Sequence, residues 1–179
     1  LACMAPEVIT MGLARADAAG DPGPPLQERI DAAAPGDIVV VEGGVYEERV
    51  VIDKPISLIG RGWPILDGGG QGDVLTISAD DAVVSGFEVR NSGRTVSQEP
   101  AAIKIKDADR VKVSLNRIRA SHFGIHVTNS TESEVVDNDI EVGSGVPQER
   151  RGHAIYLWGV TNSTIHRNVI NKAADGIHL

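Results

Sequence analysis

Five histidines (His122, His126, His153, His166 and His178) and the pair Tyr156 and Trp158 stand out in this 179-residue chain for what their types and spacing could do. Imidazole suits borderline metals, whereas thiolate and thioether select softer ions. Cys3, Met4 and Met11 are the only sulfur-bearing residues, so a metal bound beyond them must use histidine. His126 and His153 are the candidate metal ligands; the alternative is that all five are surface imidazoles without metal. Tyr156 and Trp158 account for two of only six Phe, Trp and Tyr residues. Together they suit a platform for a sugar or a partner protein, as amphipathic rings favour such contacts. The bland alternative is that they cover a seam. Arg150 and Arg151 follow Glu149 in a glycine-flanked segment. They would dock a carboxylate or acidic partner through guanidinium forks, or form an ordinary solvated loop.

Acid–base catalysis by two carboxylates needs them about 5–9.5 Å apart across a substrate. Asp80 with Asp81, Asp107 with Asp109, and Asp137 with Asp139 offer the pairs but no accompanying base, Arg or Lys constellation. The polygalacturonase motif set is missing, as are the pectate-lyase calcium and arginine patterns. Solvated turns are the simpler reading, since Asp and Asn favour turns. The net charge of −8 argues against a nucleic-acid partner, whose footprint would be basic. No apolar run reaches the ~18 residues of a membrane-spanning helix. A single cysteine rules out both an intrachain disulfide framework and a thiolate zinc cluster.

Aromatics at 3% and 20 glycines describe a core of small aliphatics turned every few residues. Residues 1–24 differ from the rest: they are alanine-rich, and Ala16-Asp17-Ala18 resembles a signal-peptidase site. They are expected to be a clipped export signal or a tail. Over Pro25–Ala34, Leu26, Ile30 and Ala33 recur at helical spacing, and Pro35-Gly36 ends the run. Short Val- and Ile-rich strands follow at Ile38–Val41, Val50–Ile52, Ile56–Ile59, Val74–Ile77 and Val83–Val89. They lack helix-length crossovers and Asn-Gly hairpin turns, which argues against a doubly wound sheet and a sandwich.

A repeat decides the architecture. The phrase small-Ile-x-aliphatic centres on Ile103, Ile125, Ile155 and Ile177, spaced 22, 30 and 22 residues apart. Asn-x-Ile, beginning at Asn116, Asn138 and Asn168, keeps the same register, and Phe87 occupies its slot one coil earlier. The longer intervals place loops at Ser92–Pro100 and Gly143–Gly152, emerging from one side on alternate coils. The prediction is an all-β, right-handed parallel β-helix of roughly six coils of about 22 residues, capped by the helix at 25–34, where an open sheet edge would invite aggregation. Residues 25–179 read as the N-terminal part of such a domain, truncated at its C-terminus. The asparagines are placed at a corner that tolerates left-handed backbone.

With the isoleucines inward, Lys104, His126, Tyr156 and His178 form one outer column, and Lys106, Thr128 and Trp158 its neighbour. His126 and His178 then lie about 9.6 Å apart, too far to share one ion. No shared metal site is evident in these coils from sequence.

Gly43–Gly70 resembles the opening coils of the pectin-lyase-like superfamily. Gln148–Trp158, with Asn168-Val169-Ile170 and Ala174–Ile177, looks like the NosD family of nitrous-oxide reductase maturation proteins. The resemblance spans about residues 25–179. One departure is His153, which stands where the family often has an acidic residue before the small-Ile pair. The resemblance implies a periplasmic or secreted, non-enzymatic accessory protein. It would assist assembly of the reductase copper centre together with an ABC-type transporter, with copper as the implied ligand. The alternatives are a carbohydrate-active β-helix enzyme (a lyase, hydrolase or epimerase with its active residues beyond Leu179) and a non-catalytic polysaccharide-binding solenoid.

Overall fold

The structure, a computed structural model, describes residues 23–95 and 98–179. The expected signal or tail lies almost wholly outside the described residues, and Cys3, Met4 and Met11 lie there too. Among the described residues, eighteen short strands form three six-stranded sheets in which every pairing is parallel. Each turn of the chain contributes one strand to each sheet: Ile38–Glu42 to sheet 1, Val45–Tyr46 to sheet 2 and Val50–Ile52 to sheet 3, then round again. This is a parallel β-helix of six coils, as predicted.

The repeat sets the register. Ile125 pairs with Ile103 and Ile155, and Ile155 with Ile177. Ile103, Ile125 and Ile155 are fully buried with Leu75, Ile77, Ile105 and Val127 in one continuous core. Ile177 keeps its place in the ladder. The 30-residue coil stays in register because its extra residues, like those of Ser92–Pro100, lie in the connection from sheet 2 to sheet 3.

Three local expectations are corrected. The helix ends at Ala32 rather than Ala34, because Ala33 is already extended. Val83–Val89 is not one strand: Gly86, at φ 86°, breaks it into Val83–Ser85 of sheet 1 and Glu88–Arg90 of sheet 2. The left-handed residue of this corner is not the asparagine but the residue before it, namely Leu115, Asp137 or Arg167, with φ of 55°, 57° and 54°. One left-handed residue turns the chain from sheet 1 to sheet 2, and the next side chain then points inward. Asn116 and Asn138 are therefore buried, and their amides bond along the stack.

The helix seals the first coil with Leu26 and Ile30, both fully buried. Its first turn has no capping side chain of its own, and the Glu48 carboxylate accepts the N–H groups of Leu26 and Gln27 instead (3.0 and 3.2 Å). The Gln27 amide takes the N–H of Val51 at 2.7 Å and donates to its carbonyl at 3.1 Å. It thus stands in for a missing strand on an edge that would otherwise pair with another chain.

Candidate functional site

Sheet 3 is the face on which the chemistry-bearing residues gather. Strand pairing aligns Lys104, His126, Tyr156 and His178 in one outer column, with Lys106, Thr128 and Trp158 beside it. A second column flanks the first. Phe123 pairs with Ala101, and Phe123, His153 and Asp175 each stand two residues before an inward isoleucine. Side chains of the two columns meet over the strand. Phe123 stacks with Tyr156 and His153 at ring-centre distances of 5.4 and 5.5 Å, and His126 lies 4.7 Å from Tyr156. His122 joins Phe123 at 4.7 Å, and His153 stacks on His178 at 4.2 Å. Six rings thus form one unbroken cluster.

Position within the cluster sets accessibility. His126 is only 4% exposed, covered by Phe123 and Tyr156. Its Nε2 lies 3.1 Å from the Thr128 hydroxyl, and its buried Nδ1 makes no aligned hydrogen bond. Burial, helped by the nearby Lys104 charge, pushes its pKa down, favouring neutral imidazole. Lys104 itself is paired with Asp73 at 3.1 Å. Burial lowers His122 too, assisted by Arg94. Trp158 is 63% exposed and lies outside the ring cluster.

The two loops stand beside this face. The His122 backbone N–H donates to Ser92 Oγ at 2.9 Å, tying the first loop down. The second is braced by Arg151 Nε, which donates to the Val146 carbonyl at 2.9 Å. Between them runs an open groove of about 750 Å³ lined by Arg94, His122, Phe123, Arg150, Arg151 and His153. The arginines singled out in sequence are thus joined to the ring column. Phe123 and Asp175 were missed because the repeat phrase begins one residue after them.

His153, Asp175 and His178 are the described His, Cys, Asp and Glu residues that come close enough to hold a metal ion, with ligand atoms within 4.8 Å of one another. The structure does not bring His126 into that group. The turn carboxylates are engaged elsewhere. Arg110 clamps Asp81 and Asp80, and Arg167 pairs with Asp137 at 2.7 Å, which holds the Asp81 and Asp137 carboxyls below their ordinary range. Asp107 accepts from Asn129.

No helix among the described residues is long and apolar enough to cross a membrane. The fold resembles that of an alginate lyase from Paenibacillus sp. str. FPU-7, with a TM-score of 0.60 over 79% of this chain and 55% of that one at 18% identity. The molecule is a parallel β-helix protein. Residues 72–179 match the family described as periplasmic copper-binding protein (NosD), and the chain belongs to that family. Its periplasmic character agrees with the location expected from sequence. Two curated relatives, each named a probable ABC transporter binding protein NosD, are 31% identical. The one from Pseudomonas aeruginosa aligns over 94% of this chain and 39% of its own length, and the one from Stutzerimonas stutzeri over 74% and 31%. The chain therefore spans well under half the length of these relatives.

Proposed function

We propose that this chain is a periplasmic docking scaffold that assists assembly of the copper centre of nitrous-oxide reductase, with an ABC-type transporter as companion and copper as cargo. One observation carries the reading: the outer face of sheet 3 combines an exposed Trp158, a ring column and two loops on one flank, and the second loop presents Arg150 at its rim. Exposed tryptophan and arginine are the residues that dominate protein–protein contacts. The rigid coils hold them in fixed register, so little ordering entropy is lost on association. Membership of a copper-binding family and the transporter-binding names of the relatives support the choice of partners.

The test is binding of apo nitrous-oxide reductase and of the solubilised transporter to the protein carrying Trp158→Ala and Arg150→Ala. Both side chains are exposed, so the variant should fold. Binding to one of the two partners should weaken by at least about tenfold, the scale of a modest hot spot. Unchanged binding to both would overturn the reading.

A further inference from the structure

The two imidazoles of the last two coils converge on a single oxygen. His178 Nδ1 lies 3.0 Å from Asp175 Oδ2, and His153 Nδ1 lies 3.1 Å from the same atom. The His153 nitrogen is buried and not aligned with the carboxylate as a hydrogen-bond donor would be, so it has no hydrogen-bond partner. His178 and Asp175 are within hydrogen-bond distance, and one carboxylate oxygen facing two ring nitrogens at these separations also matches the spacing of ligands around one ion. Ligands held at about 2.0–2.1 Å from one ion with near-right angles sit about 3 Å apart.

We propose that His153, Asp175 and His178 form a metal site that takes a divalent first-row ion and prefers copper(II). The donor set decides the ion. Two nitrogens and one oxygen suit borderline divalent metals, and at such a site the order of affinity peaks at copper(II). Residues 23–179 contain neither cysteine nor methionine, so these coils offer copper(I) none of the soft ligands it favours. The β-helix supplies the geometry. His153 and Asp175 occupy one column in adjacent coils, and His178 sits in the column beside it, in register with Tyr156. The stacked pair His153 and His178, 4.2 Å between ring centres, is braced by Tyr156 against both rings. The site deepens the docking reading by giving its cargo a seat, but it is measured without any partner, so either idea can fail alone.

The experiment uses the full chain with Cys3→Ser, which removes the thiol. Copper(II) is titrated by competition with a chromophoric chelator, and the bound ion is read by electron paramagnetic resonance. One equivalent should bind with hyperfine coupling to two nitrogens, more tightly than zinc(II) or copper(I). His153→Ala and His178→Ala should each weaken it by about 100-fold, at the upper end of what ligand-support losses cost metal sites. Asp175→Asn, which keeps the shape and the stack, should weaken it by about tenfold. His166→Ala, a histidine outside the cluster, should leave it unchanged. Retention of the same equivalent at the same affinity in the His153→Ala, His178→Ala double variant would overturn the site. So would a spectrum showing fewer than two nitrogens, or His166→Ala matching the loss.

Discussion

Asn138 Oδ1 accepts two hydrogen bonds from Asn116 one coil away: the backbone N–H at 3.0 Å and the side-chain amide at 3.1 Å. Asn168 does the same for Asn138, and Asn116 accepts the N–H of Phe87 at 3.1 Å, where the ladder ends. Phe87, Asn116 and Asn138 are buried, so a backbone N–H that loses its bond here is left without water or partner.

Asn138→Ala therefore strands the backbone N–H of Asn116, leaves the Asn116 amide only its bond to the Val84 carbonyl, and deletes its own bonds to Val113 and Val136. The expected loss is about 3 kcal/mol, from roughly 1–3 kcal/mol for each buried group left unsatisfied. Urea denaturation measures it. A change under 1 kcal/mol would mean that the ladder contributes little.

Phe123 touches four rings and is 7% exposed. Phe123→Ala should cost about 3 kcal/mol, the range for emptying a buried aromatic site. Near-ultraviolet circular dichroism should lose its Tyr156 signal. Trp158→Ala, by contrast, should stay within about 0.5 kcal/mol of the parent, as exposed positions do.

Gly86 turns the chain at φ 86°, and a Cβ there would come 2.5 Å from the Gly60 carbonyl oxygen. Gly86→Ala should destabilise by about 2 kcal/mol through that clash and left-handed strain. At the equivalent corner Leu115 already carries a side chain, 55% exposed, so Leu115→Ala should be nearly neutral. Thermal melts of both variants compare them directly; equal losses would show that backbone approach at Gly60 is not the cause.

Buried His126 sets a pH dependence. Its native pKa lies below the ordinary 6.5, so as pH falls the unfolded chain takes up a proton before the folded one does. The stabilisation from keeping it neutral is full above about pH 6.5 and is lost as pH falls toward the lowered native value. His122 acts in the same sense. Tm should drop between pH 7.5 and pH 5, and His126→Gln should flatten that drop. An unchanged slope in the variant would assign it elsewhere.

The coil count, the register and the outer column Lys104, His126, Tyr156, His178 were legible because Ile103, Ile125, Ile155 and Ile177 repeat one inward position. What escaped was the flanking column. Phe123, His153 and Asp175 share a position but no chemical type, so no periodic pattern marks them. His153 was visible as a departure from the acidic residue expected there. Its significance came only from stacking, which brings Asp175, the acidic residue of the following coil, against it. The corner was misassigned because Asn is the residue usually associated with left-handed backbone. Here Leu115 and Arg167 adopt that conformation, and the asparagines are needed for their amides.

The placement of both insertions in the connection from sheet 2 to sheet 3 bears on how this surface can vary. A coil of 22 residues and one of 30 stack in the same register on all three sheets, so loop length is uncoupled from the solenoid's pitch. Stability in such an array is a sum of rung strengths and nearest-neighbour terms. A lineage can lengthen, shorten or recharge the Gly143–Gly152 loop while the rungs beneath stay in step. Loop chemistry and foldability can evolve separately here.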